Sequence, residues 1–278
     1  MHAINHMAEL RPDCSRCFGL CCAALPFTHS ADFAIDKPAK MPCPNLQADC
    51  RCLIHSCLRE KGFKGCIAFE CFGAGQKVSE QTFAGVDWHG HKKTAEKMFA
   101  VFPKMIMLHE LLWYLNEALI HPAVGPIRSE LSHASAETEK LTRLSAESIN
   151  ALDLHALQAK LNQLFVETSG RVWRTSQSDG AGLRKKRADF CNADLIGKNF
   201  CKMDLSGANF RGAYLIAADL SHADLSGADF IGADLRDANL CGANLTDSIF
   251  LTQAQLNSAQ GDAATRLPVL LDRPMHWH

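Results

Sequence analysis

The chain has no N-terminal apolar run and no stretch that reads as long enough to span a membrane, so the expectation is a cytoplasmic chain without signal peptide or membrane anchor. It has no charge excess: 29 Lys+Arg against 30 Asp+Glu leave a net charge of -1, which points to no class of partner. It also lacks a recognisable nucleophile–base pair, a glycine loop for phosphate and a carboxylate constellation. His109-Glu110 begins like a metalloprotease motif, but the second His is absent at the required spacing. These absences lean the expectation away from an enzyme and toward a binding protein.

Cysteine is plentiful. Ten of the 13 cysteines fall between 14 and 71. In a reducing compartment such a cluster reads as metal binding or redox chemistry before disulfides; in an exported chain a disulfide framework would compete. The charge is unevenly spread: residues 1–187 carry 23 Lys+Arg against 19 Asp+Glu, and residues 188–278 carry 6 against 11. At 278 residues the chain can bury a sizeable core, and two or three units are expected.

A five-residue period runs from Ala188 to about Thr252. Every fifth position from Phe190 to Phe250 is Leu or Phe, in thirteen units. Ala usually stands two residues before, as at Ala188, Ala208, Ala223 and Ala243; Asp or Asn usually stands one before, and Gly often two after. Lys198, Met203 and Ser248 depart from the Ala position. Neither a helix nor a flat strand keeps a five-residue stripe on one side, so the repeat implies a solenoid. These units resemble the pentapeptide repeat family. The resemblance implies a right-handed β-helix of square cross-section, one repeat per side, with Leu/Phe and Ala facing the bore.

Four repeats per coil would stack each outward residue on the one twenty positions on. One side then carries Cys191, Arg211, Ile231 and Leu251, and the next Ile196, Ile216 and Arg236. The third carries Cys201, Ser221 and Cys241, and the fourth Ser206, Ser226 and Thr246. The first two are apolar where they should be wet, so we expect them to be covered by the rest of the chain or by another subunit, and the other two to be free. A protein partner on the solenoid surface, or a homo-oligomer, follows as an expectation. Acidic pentapeptide-repeat proteins include DNA mimics that shield type II topoisomerases such as DNA gyrase. Here about three coils at roughly 4.8 Å each span only about 15 Å, or about four or five base pairs, and the acidic excess is modest, which disfavours that partner.

The cysteine cluster opens as C-x-x-C-x-x-x-C-C at Cys14, Cys17, Cys21 and Cys22. It continues through Pro42-Cys43-Pro44, Cys50, Cys52-Leu-Ile-His55 and Cys57, and closes at Gly65-Cys66 and Cys71. Thiolates bind zinc tetrahedrally or hold the irons of an Fe–S cluster, and a C-x-x-C turn can aim two sulfurs at one metal. The stretch also resembles the zinc- or iron-chelating family with this opening. The matching elements are Cys14, Cys17, Cys21, Cys22, Cys43, Cys52, Cys66 and Cys71; the family places Tyr where this chain has His55, and Cys50 and Cys57 have no place in its pattern. Eight thiols exceed one tetrahedral site, and all-thiolate ligation admits zinc, Cu(I) and iron alike. The metal would staple a segment poor in large apolar residues, or take part in sensing or redox chemistry.

Residues 72–91 read as an irregular segment, with His89 and His91 in solvent. Met98, Phe102, Met105, Leu108, Leu112, Leu115 and Leu119 trace one face of a helix over 94–119, with Pro103 starting or kinking it. A second helix is expected over about 129–147, and a third from the N-cap Asp153 to Gly170. Ser176–Gly182 reads as a linker, and Arg184-Lys-Lys-Arg187 as a solvated basic run. The tail past Phe250 reads as a cap over the solenoid end, with His276 and His278 in a loose terminus. The expected architecture is α+β in several units. Residues 1–91 form a Cys-rich metal-binding unit, 92–175 a helical unit and 176–187 a linker; 188–252 form a quadrilateral β-helix and 253–278 its cap and tail.

Overall fold

The computed structural model describes residues 7–176 and 186–277. It divides into two compact units, Met1–Ile120 with Gly125–Phe165, and His121–Val124 with Val166–His278. The expected linker past Ser176 and the residues Arg184 and Lys185 lie outside the described residues, as does His278.

In the first unit the described α-helices are α1 (Leu20–Ala24), α2 (Lys64–Ala68), α3 (Ala74–Gln76), α4 (Lys92–Ile120), α5 (Arg128–Leu141), α6 (Ala146–Asn150) and the first half of α7 (Leu154–Ser176). Helix α3 runs on as a π-helical turn, Lys77–Thr82, so the segment read as irregular is helical over its first half. The core joins Leu20, Ala23 and Ala24 of α1, with Ala74 and Val78, to Met98, Phe102, Met105 and Leu108 of α4 and to Ile149 and Leu154. The Cys-rich stretch therefore shares one core with the helices.

Helix α4 begins well before Pro103 and passes through it. Proline removes one helical hydrogen bond and costs about 3 kcal/mol in a helix interior. The flanking Met98, Phe99, Phe102 and Met105 are all buried, each contributing about 1.5–3 kcal/mol, so packing outweighs the local penalty. One correction concerns membranes. Helix α4 holds an 18-residue window of mean hydropathy 1.3, enough by length and composition to cross one, and 67% of that window is buried inside the protein. Its apolar side chains already have partners in the core.

The helix expected over 129–147 is two, because Ser145 opens α6 afresh: its Oγ accepts the Ser148 N–H. Asp153 caps α7 through the Ala156 N–H at 3.0 Å. That helix continues past Gly170 to Ser176 instead of stopping there.

The second unit is built on the repeat. Its bridges are parallel and isolated, one residue each, and the described residues contain no extended strand. Asp189 pairs with Asn209, Asp194 with Tyr214, Asn199 with Asp219 and Asp204 with Asp224, always twenty residues apart. Four bridge columns per twenty-residue coil make a four-sided β-helix. A turn closes each corner, as Ala193 N–H donates to the Phe190 carbonyl and Ala208 N–H to that of Leu205. The second residue after each Leu/Phe up to Leu245 takes the left-handed conformation, as at Gly212 (φ 64°) and Gly227 (φ 64°), which explains the glycines there. The Asp or Asn before each Leu/Phe accepts a backbone N–H two residues on, as Asp194 does from Ile196 and Asp224 from Ser226. From Leu205 onward the Leu/Phe and Ala positions fill the bore, with Phe190, Phe210 and Phe230 stacked at 5.1 and 5.4 Å. Lys198 and Met203 are exposed in the first coil, where no described coil lies beneath to demand Ala.

The register then slips, with Asn239 pairing with Gln260 and Asn244 with Arg266. The slip accommodates α8 (Gln253–Ser258), which opens with a full capping box between Thr252 and Gln255. Gln255 Nε2 donates to the carbonyls of Phe230 and Ala233. The tail is fixed to Trp277, whose buried indole N–H donates to the Ala259 carbonyl, with the His276 Nε2 3.0 Å from the same oxygen. His276 is thus held in place, against the loose terminus expected for it.

On the second solenoid side Ile196 is 52% exposed and Tyr214 53% in the single chain. The reading of the fourth side needs correction. The fourth side, expected free, carries the C-terminal half of α7. Arg187 donates to the Gly207 carbonyl and to Ser169 Oγ, and Val172 lies against Gly227. The glycines at 207 and 227 leave room that the outward apolar pattern could not reveal.

Candidate metal centre

The cysteine segment is a series of short turns. Asp13 caps the 3-10 turn Cys14–Arg16, accepting the Ser15 N–H, and Cys17 ends that turn by donating its N–H to the Cys14 carbonyl. Gly19, at φ 65°, starts α1, which carries Cys21 and Cys22. Cys43 N–H donates to the Cys22 carbonyl at 2.9 Å and so ties the Pro42-Cys43-Pro44 step to α1. An antiparallel bridge between Leu46 and Cys52 places Cys52. Cys66 sits on α2, and Cys71 precedes α3, its carbonyl accepting the Ala74 N–H. Trp88 locks the first turns by donating its indole N–H to the Phe18 carbonyl at 2.8 Å.

All 13 cysteines are free thiols. The eight that match the chelating pattern repel one another electrostatically in one connected group. Cys14 interacts with Cys71, Cys22 and Cys52; Cys17 with Cys71 and Cys14; Cys21 with Cys22, Cys17 and Cys14; Cys66 with Cys22, Cys43 and Cys52. Burial pushes the Cys17 thiol up to about 11 and the Cys66 thiol up to about 12. Cys21 and Cys22 lie with sulfurs 3.8 Å apart. Their mutual hydrogen bond raises Cys21 well above its ordinary value and lowers Cys22. Backbone N–H groups of Leu20 and Gly19 point at the Cys17 sulfur, those of Gly75 and Gly73 at Cys71, and that of Ile54 at Cys52. Such donors favour thiolate.

Among the described residues no three or more His, Cys, Asp or Glu side chains stand in an arrangement that could hold a metal ion. The donor set suits one in kind: soft sulfurs with backbone N–H groups directed at them.

One neighbour escaped the sequence reading. Lys37 is buried, with its ammonium on the Met41 carbonyl at 2.7 Å, and interacts electrostatically with Cys43, Cys22 and Cys21. Cys57 stands close enough to Cys52 to raise its thiol, after burial. Cys50 lies apart from the eight, 3.9 Å from Nδ1 of His89, which also faces Asp87 at 3.4 Å. No spacing rule pairs positions 50 and 89. His55 lies in the 3-10 turn His55–Cys57.

The chain is 55% identical over 269 residues to the uncharacterized protein YybG of Bacillus subtilis (strain 168), covering 97% of this chain and 95% of that one. The chain belongs to the YybG family. The description "Pentapeptide repeats" matches in eight copies over residues 186–221 and 208–247. This member of the YybG family thus carries both a pentapeptide-repeat β-helix and a Cys-rich helical unit. Among solved structures the chain is similar to the pentapeptide repeat protein Rfr23 from the cyanobacterium Cyanothece 51142, at 31% identity over 28% of this chain and 53% of that one, with a TM-score of 0.27. It is similar also to a pentapeptide repeat protein of the Arabidopsis thaliana thylakoid lumen, at 34% identity over 31% of this chain and 55% of that one, with a TM-score of 0.24. The chain spans about half the length of these two solved chains.

Proposed function

We propose that the protein is a cytoplasmic metal-binding scaffold. The cysteine turns hold a structural or sensing metal, and the β-helix presents a docking surface to a protein partner. The observation that carries the reading is the electrostatic linkage of eight free thiols, drawn from six separate turns and helices between Cys14 and Cys71, in one network. Cys14, Cys17, Cys21, Cys22, Cys43, Cys52, Cys66 and Cys71 would hold zinc or iron, with iron sulfide clusters within the same chemistry. A bound metal would supply cross-links between turns that the backbone alone joins weakly. Lys37 offsets part of the negative charge of the thiolates. On the solenoid the exposed Ile196 and Tyr214, with the half-buried Ile216 stacked next in the Ile196 column, form the apolar surface that a partner would cover. The likeness of the Cys pattern to the zinc- or iron-chelating family supports the same reading.

The test is Cys17→Ser. Metal content and melting temperature of the variant should fall together relative to the wild type, because the metal and the fold of the turns are linked. A variant with unchanged metal and unchanged melting temperature contradicts the proposal.

A further inference from the structure

The first unit also carries a half-open pocket of about 560 Å³ to which no cysteine contributes. We propose that it binds a small hydroxylated organic anion, whose carboxylate or phosphate group lies against the Lys77 ammonium and whose hydroxyl donates to His109 Nε2. The volume falls in the range of small-molecule sites, which is about 300–1,000 Å³. Leu10 and Leu112 give it an apolar floor, and Gln76, His109 and Asn116 are buried polar residues in its wall.

The wall is already formed. Gln76 accepts the Asp13 N–H and donates to the Arg11 carbonyl, and Asn116 donates to the Leu112 carbonyl. His109 is 5% exposed and spends Nδ1 on the Phe72 carbonyl at 2.7 Å. That bond assigns the proton to Nδ1 and leaves Nε2 an acceptor with no hydrogen-bond partner among the described residues. The charges at the mouth pair off with one exception. Arg16 takes Glu80 at 2.6 Å and faces Glu9 at 3.7 Å, and Arg143 takes Glu139. Lys77 has no ion pair or hydrogen bond from its ammonium among the described residues, although it is half-buried and lies near Arg143. Glu139 and Glu9 attract it only from beyond ion-pair distance. A half-buried ammonium without a partner favours an incoming anion. The thiols take no part, so the metal reading and this one fail independently.

The experiment is isothermal titration calorimetry on the full chain with citrate and with glycerol 3-phosphate as probes, and with glycerol as the uncharged control. At least one anion should bind while glycerol does not; which one binds assigns the carboxylate or the phosphate. Lys77→Met should weaken that binding by roughly tenfold to a hundredfold, with an unchanged circular dichroism spectrum. Lys77→Arg, which keeps the charge, should retain most of it. Absence of binding by both anions, or equal binding by the wild type and Lys77→Met, overturns the proposal.

Discussion

A β-carbon placed on Gly75 would stand 2.6 Å from the sulfur of Cys17 and 3.9 Å from that of Cys71. The missing side chain of α3 is thus the space in which two of the clustered thiols sit. Cys17 cannot swing away freely, because the N–H groups of Leu20 and Gly19 hold its sulfur. Gly75→Ala should therefore destabilise the first unit by about 1–3 kcal/mol through overpacking, and should lower bound metal with it. Urea unfolding of the wild type and variant measures the first effect; an unshifted midpoint would mean that the sulfur yields without cost.

Phe210 is stacked between Phe190 and Phe230 and is fully buried. Phe210→Ala should cost about 3–5 kcal/mol. Phe190→Ala should cost clearly less, because Phe190 lies in the first coil and is only half-buried. Denaturant titration of the two variants compares them, and equal losses would contradict a bore that tightens away from its first coil.

Burial lowers His109 from 6.5 to about 4. Its neutral form is the one the fold accepts, so the unfolded chain takes up the proton first as pH falls. Its contribution is fully present above about pH 6.5 and is lost as pH falls toward about 4, amounting to about 3 kcal/mol. Unfolding free energies at pH 7.5, 5.5 and 4.5 should show this slope in the wild type and a shallower one in His109→Gln. Parallel slopes would place the acid sensitivity elsewhere.

Gln255 closes the far end of the β-helix. Its Nε2 satisfies the Phe230 and Ala233 carbonyls at 2.9 and 2.8 Å, and its Oε1 accepts the Thr252 N–H. Gln255→Ala leaves three backbone groups without these partners and should cost about 1–3 kcal/mol. Hydrogen exchange should quicken in the last coil while the earlier coils keep their protection; uniform exchange across the solenoid would refute a local cap.

The five-residue stripe made the β-helix legible, because a strict period leaves one geometry that buries every Leu and Phe. The same pattern misassigned its covered face: outward residues such as Ile196 report polarity, whereas Gly207 and Gly227 report the space that Val172 and Arg187 use. Helix α4 was legible from its apolar spacing over 94–119, but its unbroken passage through Pro103 was not, since proline weakens a helix locally and only the surrounding core shows that packing wins. The cysteines were visible by their density. Their buried neighbour Lys37 was not, because a lysine in a polar loop carries no sign of the turn that folds it inward.

Elemental analysis with an absorption spectrum, on wild-type protein purified without oxygen, tests the central claim most directly. Eight thiols at four per site predict up to about two zinc ions per chain, without colour, or up to about two Fe–S clusters of two or four irons each, absorbing near about 400 nm with acid-labile sulfide. Folded protein that carries no metal, and takes up none when zinc or iron is supplied, would contradict the account.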